Sequence, residues 1–199
     1  VVGNIGYMTA GNKFYTFDLS SKSGSRHQLG VVTLAGTGNS IFVAGNYAFV
    51  ATSAESAELQ IVDVSNASAP TIVGQTDING EEGRDVFVNT TATRAYLATE
   101  LSVTQAELFI INVTSKTGNQ PILGSYDTDG MDPKGVTVVS SNRAIIVGAG
   151  AEEYQVINTT IESTLVRCGG MDVDTGINGV SSVLESDGDA YSYIITGDA

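Results

Sequence analysis

Hydrophobic residues in this chain occur in short runs, some of which alternate with polar residues. Gly, Asn, Asp and Pro separate the runs. The runs are rich in Val, Ile, Tyr and Phe, the residues that strands favour. No stretch keeps a helical period of apolar residues between helix caps. The pattern therefore predicts an all-β protein.

One run returns along the chain in recognisable form. It reads LQIVDV at residues 59–64, and its counterparts lie at residues 14–19, 108–113 and 154–159. The fifth position is Asp or Asn in each copy, at Asp18, Asp63, Asn112 and Asn158, so the intervals are 45, 49 and 46 residues. Because Asp and Asn share this position, we expect a structural hydrogen-bond acceptor and no role that needs a charge.

Each repeat contains four strand-like runs, which we label A, B, C and D in chain order; LQIVDV is a C run. The A runs lie at residues 41–43, 86–88, 136–138 and 180–183, and the B runs at 6–9, 48–52, 95–99, 144–147 and 192–196. The D runs lie at residues 31–33, 71–73, 122–123 and 164–166, which brings the number of predicted strands to 17.

A period in the mid-forties with four strands per unit predicts a β-propeller. A four-stranded antiparallel blade has two apolar faces, and packing blades side by side around an axis buries both. A β-sandwich also has short strands, but it does not require a repeated four-part unit. We predict a single propeller domain, or a fragment of one, over residues 1–199. We expect it to be part of a larger polypeptide and of a ring of five to seven blades. About five blades are expected, the first and last incomplete, at approximately 1–36, 41–77, 86–127, 136–174 and 180–199.

The repeat resembles a known family. The second unit reads GNYAFVA at 45–51, LQIVDVSN at 59–66 and PTIVG at 70–74, and the third reads LFIINVT at 108–114 and PILGSYD at 121–127. These segments are similar to the motifs of LVIVD-repeat proteins, and the resemblance extends over essentially the whole chain. It implies a β-propeller in a bacterial or archaeal exported or surface protein, and it brings no catalytic residues with it.

The formal net charge of −13 limits the partners. It excludes nucleic acid and an anionic membrane surface, which both attract Lys and Arg, and it permits cations, basic proteins and neutral glycans. No apolar run approaches the roughly 18 residues of a membrane span, so we expect no membrane insertion by this segment. Abundant Ser and Thr with few Lys favour a secreted or cell-surface protein.

The charge is predicted to gather on one face of the propeller. In a four-stranded meander the B–C loops and the D–A connections lie at the same end of every blade. This end receives 16 of the 22 acidic residues but three of the nine bases, Lys13, Arg84 and Lys134. We predict a binding face for a protein or glycan partner here; the alternative is that these acids form solvated turns. The predicted binding-face residues are Asp77, Glu81, Glu82, Arg84, Asp127, Lys134 and Asp174.

Asp127, Asp129 and Asp132 surround a Gly turn, an arrangement of oxygen ligands that suits Ca²⁺. The remainder of an EF-hand loop is missing, and turn formation is the alternative role. No other cofactor is predicted. The single His27 and the single Cys168 have no catalytic surroundings, so no catalytic residue is predicted.

Three functions follow as hypotheses. The first is a non-enzymatic binding or scaffold module that uses the acidic face. The second is a purely structural repeat segment of a surface layer or appendage. The third is a metal-dependent hydrolase with its site in the central channel.

Overall fold

The computed structural model describes residues 1–140, 142–173 and 175–197. Asp174, one of the predicted binding-face residues, lies outside the described residues. Within them, every regular element is a β-strand, as the sequence predicted. The described part of the chain contains no helix with the length and apolar character needed to cross a membrane.

The strands follow the predicted order from A to D. The first unit contains β1 (Ile5–Ala10), β2 (Lys13–Asp18) and β3 (His27–Thr33), and the second β4 (Gly38–Ala44), β5 (Tyr47–Thr52), β6 (Leu59–Asp63) and β7 (Thr71–Thr76). The third contains β8 (Gly83–Val88), β9 (Arg94–Thr99), β10 (Leu108–Asn112), β11 (Gly118–Asn119) and β12 (Ile122–Tyr126). The fourth contains β13 (Asp132–Val138), β14 (Arg143–Ala149), β15 (Tyr154–Asn158) and β16 (Val166–Met171), and the fifth β17 (Ile177–Leu184) and β18 (Ala190–Thr196).

Each unit folds into its own antiparallel sheet with neighbouring strands paired in chain order. The second, third and fourth units are the four-stranded meanders that the sequence predicted. The additional strand β11 leaves its own unit and pairs in parallel with β7 of the second unit. The number of blades and the closure of a ring stay predictions.

A hydrophobic cluster lies between each pair of consecutive units. Between the second and third units, for example, Phe49 and Ile61 pack with Leu97 and Ile111, all at most 1% exposed. Corresponding clusters join units one and two, three and four, and four and five. Successive A strands also contact one another, β4 with β8, β8 with β13 and β13 with β17. The sheets are therefore stacked face to face with their A strands on the inside.

Glycine on the D strands allows neighbouring units to approach closely. A β-carbon at Gly124 would overlap the Glu162 carbonyl oxygen in the C–D loop of the next unit, and one at Gly74 would overlap the Lys116 carbonyl oxygen. Gly30 meets the C–D loop of the second unit in the same way. The Gly of the PTIVG motif is therefore needed because the following unit packs directly on the D-strand backbone.

The repeated Asp or Asn of the C strand forms a local turn. The Oδ1 atoms of Asp18 and Asp63 accept the backbone N–H two residues further on, each at 2.8 Å, and Asn112 and Asn158 do the same at 3.1 and 2.9 Å. These contacts account for the exchange of Asp and Asn, because either side chain supplies the acceptor. Their structural role is as expected, and the donor belongs to the C–D loop that immediately follows.

Candidate functional site: the B–C/D–A face

The B–C loops and the D–A connections lie at one end of the sheets, which we call the B–C/D–A face. Its B–C loops are residues 11–12, 53–58, 100–107 and 150–153, and its D–A connections are residues 34–37, 77–82, 127–131 and the described residues 172–173 and 175–176. The opposite end, the A–B/C–D face, carries the A–B hairpins and the C–D loops. The meander order of every sheet fixes this division.

Buried glutamates hold the loops of the B–C/D–A face. Glu58 is 0% exposed; its Oε1 accepts the N–H of Gly80 at 2.7 Å and its Oε2 accepts the N–H of Ile78 at 3.0 Å. Removal from water raises the pKa of Glu58 above its ordinary value, although the two backbone donors act in the opposite direction. Glu58 thus fixes the D–A connection of its own unit.

The same arrangement recurs in the next two units. Glu107, also 0% exposed, accepts the N–H and the hydroxyl of Thr128, both at 2.9 Å, and the N–H of Ser102 at 3.2 Å. Glu153 accepts the N–H of Val173 at 3.0 Å. Each glutamate immediately precedes its C strand, so the position is a feature of the repeat.

The first unit departs from this pattern. Lys13 occupies the glutamate position, and the D–A connection that follows is shorter, at residues 34–37. Here the next unit supplies the contact, because the Gln60 Oε1 accepts the N–H of Ala35 at 2.8 Å. A buried carboxylate therefore accompanies the longer connections.

Asp85 links three A strands at the inside of the stack. Its Oδ1 accepts the Ser40 hydroxyl of β4 at 2.6 Å and the N–H of Val86 at 2.9 Å, and its Oδ2 accepts the N–H of Val136 of β13 at 2.8 Å. Burial raises the pKa of Asp85.

Asp85 and the three glutamates are four of the 16 acids that the sequence assigned to a charged surface. The structure corrects that interpretation, because these four carboxylates bond to the protein's own backbone and hydroxyl groups.

Every A strand contains a β-bulge beside this face. The bulged residues are Asn39, Arg84, Lys134 and Asn178. Asn39 donates from Nδ2 to the Gly83 carbonyl of the next unit at 2.8 Å. Bulges re-aim side chains, so the repeat places one polar side chain from each inner strand at this end of the sheets.

The predicted basic residues of the binding face lie at two of these bulges, and each is paired with acids. Arg84 forms ion pairs with Glu82 at 3.2 Å and with Glu100, and Lys134 pairs with Asp132. The structure thus brings Glu82 and Arg84 together. Glu81 is half-buried on the same D–A connection as Glu82. Asp77 and Asp127 are exposed at the start of successive connections.

One basic residue was missed by the sequence analysis. Arg167 lies on β16, yet its guanidinium reaches along the strand and pairs with Glu152 of the B–C loop. The side chain of Arg167 passes Gly170, where a β-carbon would lie 2.8 Å from Nη2. The Gly169–Gly170 pair, which follows Arg167 after one residue, was a sequence signal that a long side chain could extend along the strand. Strand assignment alone placed Arg167 away from the B–C/D–A face.

The predicted calcium ligands form a turn. The Asp127 Oδ1 accepts the N–H of Asp129 at 2.9 Å, and Asp129 has a φ of 55°, followed by Gly130 at 89°. Asp132 pairs with Lys134 and accepts the N–H of Leu101 at 3.4 Å. Among residues 1–140, 142–173 and 175–197, no group of three or more His, Cys, Asp or Glu side chains is placed to hold a metal ion. Calcium binding by Asp127, Asp129 and Asp132 stays a prediction.

Comparison with solved structures defines the class of fold. The chain is similar to a protein from Lactobacillus plantarum, with 11% identity and a TM-score of 0.71 over 91% of this chain and 55% of that one. It is similar to a chain of the mitotic checkpoint complex, with 12% identity and a TM-score of 0.71 over 89% of this chain and 52% of that one. A third similar structure is hydrazine synthase of Kuenenia stuttgartiensis, with 11% identity and a TM-score of 0.66 over 89% and 47% of the two chains. The chain spans about half the length of these β-propeller-like structures. It therefore has the fold of a β-propeller-like repeat protein.

The sequence comparison identifies the repeat. The family described as LVIVD repeat matches residues 35–78, the segment that contains the second unit. The resemblance to LVIVD-repeat proteins is thereby confirmed. No curated protein matches the chain.

Proposed function

We propose that this chain is a non-enzymatic binding module of an exported or cell-surface protein, and that its B–C/D–A face binds a basic protein surface. The proposal depends on one observation, which is that the acids of this face have two different roles. Glu58, Glu107 and Glu153 are buried and hold the loops, whereas other carboxylates on the same loops are exposed. A rigid loop that presents exposed charge loses little entropy when a partner binds.

The negative charge of the exposed residues on the B–C/D–A face favours a cationic partner. Exposed acids lie at Glu55, Asp77, Asp127 and Asp129. The bases Arg84, Lys134 and Arg167 are paired with acids, and Lys13 donates to the Thr33 hydroxyl. The net charge of −13 adds long-range attraction for a positive surface. Nothing in this arrangement requires a reaction.

The test uses poly-L-lysine as the basic probe and poly-L-glutamate as its counterpart. Wild type is compared by calorimetric titration with Glu55→Lys/Asp77→Lys, which reverses two exposed charges on the B–C/D–A face. Glu185→Lys/Asp189→Lys makes the same change in net charge on the exposed A–B hairpin of the fifth unit. We expect poly-L-lysine to bind wild type and the hairpin variant equally, and Glu55→Lys/Asp77→Lys about tenfold more weakly at low salt. Equal weakening in both variants would show that net charge alone acts, and absence of binding to wild type would refute the proposal.

A second candidate, a structural repeat segment of a larger assembly, is favoured by the outer faces of the first and fifth units. Tyr193 and Ile195 on β18 are 65% and 70% exposed, and Met8 on β1 is 46% exposed. In the part of the chain that the structure describes, the D strand of the fourth unit also lacks a covering loop. A β-carbon at Gly169 on this strand would contact Val156 of its own sheet, whereas one at the corresponding Gly124 of the third unit would overlap the C–D loop of the following unit. We propose that a further four-stranded unit of the same repeat covers these faces, because four such interfaces already exist within the chain.

Sedimentation velocity over a concentration series tests this second candidate. We expect wild type to associate as its concentration rises and Ile195→Glu to remain monomeric. Ile161→Glu is the matched control, because Ile161 is 62% exposed in a C–D loop, away from the β18 face. A wild-type chain that stays monomeric throughout would count against the assembly role.

A further inference from the structure

The A–B/C–D face contains a cleft that neither the binding face nor the assembly surfaces include. Its volume is about 530 Å³, within the range of about 300–1,000 Å³ that small-ligand sites occupy. Its floor is apolar and comes from the last residues of three inner strands, with Phe87 on β8, Val138 on β13 and Leu184 on β17. Side chains of three consecutive units thus meet at this end of the sheets.

The hairpins around the cleft are longer than their counterpart in the second unit. The A–B turn of the second unit has two residues, Gly45 and Asn46, whereas residues 89–93 separate β8 from β9. The longer hairpin raises a polar wall beside the apolar floor. Loops added to a rigid scaffold are the usual place for ligand contacts.

Hydrogen bonds hold this polar wall in one conformation. The Asn89 Oδ1 accepts the N–H groups of Thr93 and Arg94 at 2.8 and 3.0 Å, and the hydroxyls of Thr91 and Thr93 lie 2.9 Å apart. The Arg94 Nε donates to Glu162 Oε1 at 2.5 Å, and Nη1 donates to the Thr93 carbonyl at 3.0 Å. The wall is therefore organised before any ligand arrives.

The ion pair in the wall retains hydrogen-bonding capacity. The side chains of Arg94 and Glu162 are 27% and 33% exposed. Within the described parts of the chain, no protein group hydrogen-bonds to the Nη2 of Arg94 or to the Oε2 of Glu162. Arg94 and Glu162 thus offer a donor and an acceptor in a cleft that threonine hydroxyls also line, and the charges of the two residues cancel.

We propose that this cleft binds a short neutral carbohydrate. Two neighbouring hydroxyls of a sugar ring each donate and accept, so one can accept from Arg94 while the other donates to Glu162. The C–H side of the ring would lie on the apolar floor of Phe87, Val138 and Leu184. An ionic ligand fits less well, because the paired Arg and Glu leave no unbalanced charge to attract it. The inference is independent of the proposed function, because it concerns the opposite face.

The test measures binding of three neutral trisaccharides, namely maltotriose, cellotriose and triacetylchitotriose, by saturation-transfer NMR and calorimetric titration. Thr91→Trp fills the cleft from an exposed wall position, and Glu162→Gln removes the charged acceptor. We expect at least one trisaccharide to bind wild type and both variants to weaken that binding about tenfold or more, the effect of losing a charged hydrogen bond.

Thr104→Trp is the matched control, because Thr104 is an exposed threonine of the same unit on the B–C/D–A face. It should bind as wild type does, and so should Glu55→Lys/Asp77→Lys. The proposal is overturned if none of the trisaccharides binds wild type at about 10 mM, a concentration well above the Kd of weak specific sites. It is also overturned if Thr91→Trp, with its native circular dichroism spectrum retained, binds as tightly as wild type.

Discussion

The two faces of this protein join their structural units by different chemistry. On the B–C/D–A face, buried carboxylates accept hydrogen bonds from loop amides, as Glu107 does from Thr128. On the A–B/C–D face, the backbone of a C–D loop lies directly on a D-strand glycine, as Glu162 does on Gly124. The buried carboxylates of the repeat therefore lie at one end, and its D-strand glycines pack on C–D loops at the other, where the partly exposed Arg94–Glu162 ion pair also joins two units.

This difference has a thermodynamic consequence. A carboxylate that changes its pKa on folding makes stability depend on pH, whereas close packing on glycine does not titrate. The effect on stability of replacing Glu58 should therefore depend on pH, whereas the effect of replacing a D-strand glycine should not. The predictions below use this difference, and each has a control from the same chain.

The largest effect is expected at Gly124. Gly124→Ala places a β-carbon against the Glu162 carbonyl, so the next unit must move away, and we expect a loss of about 3 kcal/mol or more in the free energy of unfolding. Urea denaturation measures the loss. Gly169→Ala is the matched control, because Gly169 has the same position in the fourth unit and its nearest contact is Val156 at 3.7 Å.

We expect Gly169→Ala to change stability by no more than about 0.5 kcal/mol, as surface substitutions do. Equal losses at Gly124 and Gly169 would contradict the steric account. The cause would then be a general requirement of the D strand for glycine, since a D-strand bulge immediately precedes both residues.

Glu107→Ala should follow closely in size. It removes the acceptor of two N–H groups and one hydroxyl, at Ser102 and Thr128, and we expect a loss of about 3 kcal/mol because those donors lose their buried partner. Glu55→Ala, an exposed glutamate in a B–C loop, should be nearly neutral. Hydrogen exchange of the Thr128 amide provides the local measurement. Protection that survives Glu107→Ala would show that the carboxylate does not hold this connection.

The strand order was predictable from the sequence because it follows from local pattern. Alternating apolar residues and turn residues mark each strand, and repetition of the same four runs removes most ambiguity. Sixteen of the 17 predicted runs lie largely within strands of the structure, whereas the last D run, predicted at residues 164–166, is displaced because β16 begins at Val166 and ends at Met171. Strand β11 was not predicted, because its two residues pair with β7 of the preceding unit and carry no periodic signal of their own.

The buried carboxylates were harder to predict. A glutamate five residues before the repeated Asp or Asn occurs in three units, as at Glu58 and Glu107, and that regular position next to an apolar strand was a signal. Loop position alone made these residues look like surface charge. The A-strand bulge at Arg84 was not predictable, because a bulge depends on the pairing register with the next strand.

Glu58 provides the test of pH dependence. Burial raises the pKa of Glu58 above 4.5, its ordinary value, so the folded protein keeps a proton that the unfolded chain has already released. The stability that this proton provides is complete below the ordinary pKa and is lost as the pH rises through the raised one. The stability of wild type relative to Glu58→Gln should therefore fall with increasing pH in the range above 4.5.

Urea denaturation of both proteins across this range supplies the measurement. Gly124→Ala is the control, because its difference from wild type should stay constant with pH. A difference between wild type and Glu58→Gln that rises with pH would mean that the backbone donors Ile78 and Gly80 outweigh desolvation. The pKa of Glu58 would then be depressed.

Calcium is expected to give the smallest effect. Asp127 and Asp132 already bond within the protein, to the Asp129 amide and to Lys134, so an ion must compete with those contacts. We expect Kd in the millimolar range, and a rise of about 1–3 °C in Tm at about 10 mM calcium. Differential scanning calorimetry with and without a chelator measures it. Asp129→Asn should reduce the rise, whereas Asp187→Asn, in a hairpin turn on the opposite face, should not. An unchanged Tm, or an equal rise in Asp129→Asn, would contradict calcium binding by this turn. The exposed acids of the B–C/D–A face would then be available to a basic partner.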